Sequence, residues 1–96
     1  MTDKPVVHHF SALAESIERQ KSNEAVMEAL AQTQASCRQF AEEASSAETK
    51  RLCGNIQSAL NAWKEVWPRL GRQPEFRQAV AREARLWSKR FEVLHS

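Results

Sequence analysis

Tyrosine is absent from this chain, glycine occurs twice and proline three times. With so few backbone breakers, and with Ala, Glu, Gln and Arg abundant, the sequence predicts a mainly helical chain. Two glycines also leave no glycine-rich phosphate loop, and no nucleophile stands in a motif that supplies it with a base. The acids Glu15, Glu18, Glu24, Glu28, Glu42 and Glu43 fall mostly on expected solvent faces, and no Glu-x-x-His pair of the di-iron bundle type occurs. Enzyme chemistry therefore has no support, and no cofactor is expected.

Two cysteines are fewer than a small secreted disulfide framework uses. Cys37 and Cys53 are expected to be reduced and packed as small apolar groups. His8, His9 and His95 are expected near the same end of the molecule as the cysteines. Thiolate and imidazole are zinc ligands, but Cys-x-x-Cys and a His pair at i, i+4 are both missing, so no metal is expected. No apolar run approaches the ~18–20 residues of a membrane span. The start, Met1-Thr2-Asp3-Lys4-Pro5, lacks the basic flank and apolar stretch of a secretory signal. The expectation is a cytoplasmic protein that does not enter a membrane.

What is present is amphipathic helix. Ninety-six residues, 42% hydrophobic and 27% charged, make one globular domain. Phe10, Leu13, Ala14 and Ile17 recur at helical spacing, with Ser11 as expected N-cap and Pro5 ending a polar leader. The pattern lapses through Glu18, Arg19, Gln20 and Lys21. Ser22 or Asn23 then offers a new N-cap, although one long helix from Phe10 to Ala44 is an alternative. Val26, Met27, Leu30, Cys37, Phe40, Ala41 and Ala44 form the next stripe, interrupted at Gln34. Ser45-Ser46-Ala47-Glu48 matches a capping box, with Ser45 and Glu48 as the reciprocal pair.

A third stripe comprises Leu52, Ile56, Leu60, Trp63 and Trp67. Gly54 falls inside it, tolerable if another backbone packs closely there; a rival reading breaks the helix at that glycine. Pro68 is expected to end the helix at Trp67, leaving Arg69, Leu70, Gly71 and Arg72 as a connection. Pro74 suits the first position of a fourth helix, whose apolar arc is Phe76, Val80, Ala84, Trp87, Phe91 and Leu94.

The apolar positions also mirror one another. Reflected about Ser45, Met27 faces Trp63, Leu30 faces Leu60 and Cys37 faces Cys53, the relation of an antiparallel helical hairpin. A second reflection sets Trp63 against Val80, Ile56 against Trp87 and Leu52 against Phe91. The expected fold is all-α: an up-down-up-down four-helix bundle with a short first helix.

Charge is unevenly spread. Residues 1–48 carry eight acids and four bases, net −4, whereas residues 49–96 carry ten bases and four acids, net +6. This asymmetry suits an acidic partner for the second half, or a homodimer joining the acidic half of one copy to the basic half of another. Arg82, Arg85 and Lys89 lie opposite the apolar arc of the fourth helix, with Arg77 and Arg90 flanking it. Trp67 beside Arg69 and Arg72 has the composition of a protein-binding hot spot, provided that the indole is exposed. The expected protein-binding residues are accordingly Trp67, Arg69, Arg72, Arg82, Arg85 and Lys89, in an accessory subunit, adaptor or inhibitor. Nucleic acid is the alternative partner, since guanidinium groups pair with phosphates; no helix-turn-helix or zinc-finger pattern accompanies them.

Overall fold

Proline is tolerated in the first turn of a helix, where its missing N–H has no partner to lose, and the computed structural model of residues 4–94 uses it there twice. Helix α1 spans Pro5–Glu18 and α4 spans Pro74–Val93, with α2 (Asn23–Glu43) and α3 (Ala47–Leu70) between them. Pro5 therefore starts the first helix rather than ending a leader. Ser11, the expected cap, is interior, and its hydroxyl pairs with that of Ser88 at 2.9 Å. At 14 residues α1 remains the shortest of the four.

The chain turns between α1 and α2 without glycine or proline. Lys21 N–H donates to Ser16 O and Gln20 N–H to Ile17 O, the paired bonds of a Schellman close. Gln20 takes the left-handed position at φ 56°, which glycine or asparagine usually fills. Ser22 then caps α2 by accepting from Ala25 N–H at 3.2 Å. Two helices, not one, occupy residues 10–44.

The next cap lies one residue later than the sequence suggested. Ser46, rather than Ser45, accepts from Thr49 N–H and opens α3, which puts Glu48 in the first turn but out of capping-box register. Helix α3 passes through Gly54 and Pro68 without ending. Pro68 forfeits only the amide bond to Lys64 O, and Gly71 N–H closes the last turn on Trp67 O at 2.8 Å. Arg69 thus belongs to a helix, and only the Gly71–Gln73 segment connects α3 to α4.

Gly54 is exposed, and a Cβ there would meet nothing within 4 Å. Among the described residues no backbone packs closely there, so the condition under which the glycine would be useful is not met. Gly54→Ala should therefore add about 1 kcal/mol of stability, raising Tm by ~4–8 °C. A melting curve showing no gain would contradict an uninterrupted α3.

The four helices form an up-down-up-down bundle. Lys4 at the start of α1 donates through Nζ to Phe91 O at 2.9 Å, whereas Arg77 at the start of α4 reaches Ile17 O near the end of α1. Backbones approach closely in α1/α4, α2/α3 and α1/α2. Across α3/α4 the contact is made by large rings instead: Trp63 stacks on Trp87 at 5.1 Å, and Trp67 meets Phe76 at 5.4 Å. The second reflection set Trp87 opposite Ile56; the structure brings it to Trp63, seven residues further along.

Two polar residues complete the core stripes that the apolar pattern left open. Thr33 is fully buried at the place in α2 where Gln34 interrupts the apolar stripe. Its hydroxyl lies 2.7 Å from Ala29 O and 3.1 Å from His9 O, so burial leaves no polar atom unpaired. Gln34 lies to the side, where its Oε1 accepts from Lys64 Nζ. Ser88 plays the equivalent part in α4, donating to Val7 O at 3.1 Å.

Candidate protein-binding groove

The turn between α1 and α2 and the outer face of α4 enclose an open groove of about 1130 Å³. Because the bundle alternates direction, the N-termini of α2 and α4 come to the same end. Ser22, Asn23 and Pro74 all line the groove, and the positive ends of two helix dipoles open onto it. Six cations line it as well, Lys21, Arg72, Arg77, Arg82, Arg85 and Lys89, against two carboxylates, Glu18 and Glu24.

The cations differ in what they do. Arg85 grips Glu18 with two bonds, Nη2 to Oε1 at 2.6 Å and Nε to Oε2 at 3.3 Å. That hydrogen bond, with the attraction of the guanidinium, holds the Glu18 carboxyl below its ordinary value. Arg77 is structural: its guanidinium donates to Gly71 O at 2.7 Å and Ile17 O at 3.3 Å, and lies 5.5 Å over the Trp67 ring. The side chains of Lys21, Arg72, Arg82 and Lys89 make no hydrogen bond or ion pair with any other described residue. Leu86, half exposed, lies among them.

Of the residues singled out in the sequence, the groove therefore gathers Arg72, Arg82, Arg85 and Lys89. Arg69 is exposed elsewhere on α3 and does not line it. Trp67 is a correction. Its side chain is 0% exposed, covered by Phe76 and Arg77. Because α3 continues past Pro68, the indole stays on the inner face instead of ending on the surface. Buried this way, it offers no partner a hot spot.

Lys21 and Leu86 were missed. Lys21 stands in a turn with no motif, and only the fold brings it across to α4. Leu86 did leave a signal: Ala79, Leu86 and Val93 are spaced seven apart on α4, and all three are exposed.

Among the described residues, no three side chains of the types His, Cys, Asp and Glu are grouped to hold a metal ion, and His95 lies outside those residues. His9 Nδ1 pairs with the Ser36 hydroxyl. Cys37 Sγ donates to Cys53 O at 3.8 Å, as the first reflection requires, and both thiols are buried and free. Burial, with the second sulfur beside it, pushes the Cys37 thiol up to about 12; burial also raises Cys53. Since the folded thiol holds its proton more tightly than the unfolded one, its contribution to stability is complete below the ordinary 9.0 and is lost as pH climbs towards 12. At pH 8, labelling by a thiol reagent should consequently wait for unfolding. Fast labelling of the native protein would contradict the burial.

Compared with known proteins, the chain matches no family model, no curated protein and no solved structure. Among the described residues, no helix is long and apolar enough to cross a membrane.

Proposed function

We propose that this chain is a small non-catalytic protein that binds another protein through the α1–α4 groove, as an accessory subunit, adaptor or inhibitor. The observation that carries the reading is that four cations, making no ion pair with another described residue, line the same groove as the half-exposed Leu86. Charged rims around an apolar anchor give partner choice and a fast approach, while the anchor supplies the desolvated contact.

Nucleic acid is the rival occupant, and one feature weighs against it: among the described residues no aromatic ring lines the groove to stack on a base.

The test is capture from source-cell lysate, with and without nuclease, using the natural protein and an Arg82→Glu/Lys89→Glu variant. The expected result is one or two proteins retained at fixed stoichiometry after nuclease and lost with the charge reversal. A mixture that vanishes with nuclease, with binding that falls steeply in salt, would transfer the groove to nucleic acid.

A further inference from the structure

The outer face of α4, whose Arg82, Leu86 and Lys89 line the groove while Val93 lies beyond it, has a periodicity that charge alone does not explain. Along the outer face of α4, Arg82, Leu86, Lys89 and Val93 follow one another at steps of four, three and four residues. That spacing sets all four on one helix face, two cations alternating with two apolar side chains, so that a second helix laid along α4 would meet them in turn. The core of the bundle uses a different arc of α4, containing Val80, Ala84 and Phe91. Helix α4 thus carries two stripes, one buried and one facing outward, with Leu86 at 50% and Val93 at 74% exposure.

From this spacing we infer that the groove receives an acidic amphipathic helix of the partner protein, laid along α4. This rests on the protein-binding reading above and adds the chemistry of the ligand. A partner helix rises at the same ~1.5 Å per residue, so two carboxylates seven residues apart lie ~10 Å apart, matching Arg82 and Lys89. An apolar residue three or four positions after the first carboxylate falls between them, over Leu86. Lys21 and Arg72, at the far wall and the end of the groove, meet further acids on the partner's flank, and the positive ends of α2 and α4 favour the same sign. The volume of about 1130 Å³ lies above the ~300–1,000 Å³ of small-molecule pockets, and the groove is open along its side. An open groove of that volume has room for a segment of chain. Helix-in-groove recognition needs an apolar anchor as well as charge, and Leu86 provides it.

The experiment titrates the full chain, labelled for amide NMR, with a synthetic helical peptide in which glutamates seven apart flank a leucine. Companion titrations use the same peptide with Glu→Gln, and a single-stranded and a duplex oligonucleotide. The glutamate peptide is expected to shift amides around Arg82, Leu86, Lys89 and Lys21 at saturation, and to bind about tenfold or more tightly than its glutamine version. Arg82→Glu/Lys89→Glu and, separately, the neutral Leu86→Gln are each expected to weaken it by a similar factor. All three positions are exposed, so unchanged circular dichroism and Tm will show that these variants still fold. Equal binding of the glutamine peptide, shifts elsewhere on the surface, or no binding would overturn the inference, as would preference for either oligonucleotide. If the peptide fails while a nuclease-resistant partner is still lost from Arg82→Glu/Lys89→Glu in the lysate, the acidic-helix assignment falls and the protein-binding reading stands. If that partner is also absent, both fall.

Discussion

Trp67→Ala is expected to lower stability by about 3–5 kcal/mol, the range for removing a large buried aromatic. A domain of this size has ~5–15 kcal/mol in all, so the loss will show as a large drop in the urea midpoint at unchanged slope. Trp67 is 0% exposed and fills the space between α3 and the start of α4, against Phe76 at 5.4 Å. The informative comparison is Trp67→Phe. The indole Nε1 is buried and has no hydrogen-bond partner among the described residues, a state that costs roughly 1–3 kcal/mol. Phenylalanine loses packing volume and also removes that orphaned donor. The two effects oppose each other, and Trp67→Phe is expected to stay within about 1.5 kcal/mol of the natural protein. Partner binding separates the two readings of this residue. A surface hot spot would lose its partner on Trp67→Phe, whereas a buried wedge leaves the groove unchanged; a stable Trp67→Phe protein that no longer binds would overturn the assignment to the core.

The pairing of α2 with α3 was legible because both helices keep one rise per residue and approach closely by backbone. Reflection about the turn then carries over to space, and Cys37 meets Cys53. Between α3 and α4 the same reasoning failed, since bulky rings bridge a wider gap and Trp87 reaches Trp63. Prolines were misread for a related reason. The sequence cannot say whether Pro5 ends a leader or begins a helix, because its fixed φ suits both. Pro68 removes a single amide bond near the end of α3, a local loss that three-dimensional packing outweighs, and the misplacement of Trp67 followed from it. The cationic face was readable where it lies on one helix, at Arg82, Arg85 and Lys89. Its completion by Lys21 and Arg72 depends on how α1 docks, and that is tertiary information.

Docking of α1 leads to the second large effect: Phe10→Ala is also expected to cost about 3–5 kcal/mol. Helix α1 has 14 residues, a length at which an isolated helix is marginal in water, so its helicity comes from the face it buries. Phe10 is the centre of that face. Its ring stacks on Phe91 at 5.5 Å and meets the edge of Trp87 at 5.6 Å. Phe91 continues to Phe40 on α2 and Trp87 to Trp63 on α3, so one ring joins aromatic contacts to all the other helices. Truncating it should loosen α1 before the α2–α3 hairpin, seen as faster amide exchange in residues 6–18 than the global loss of stability explains. Exchange that rises evenly over all four helices would instead mean that α1 has no separate stability. The groove depends on this packing, since Ile17, Glu18 and Lys21 form its far wall. Phe10→Ala should therefore weaken partner binding even under conditions where the protein is still mostly folded. Gly54→Ala, on the distant face of α3, should stiffen the bundle and leave that binding unchanged.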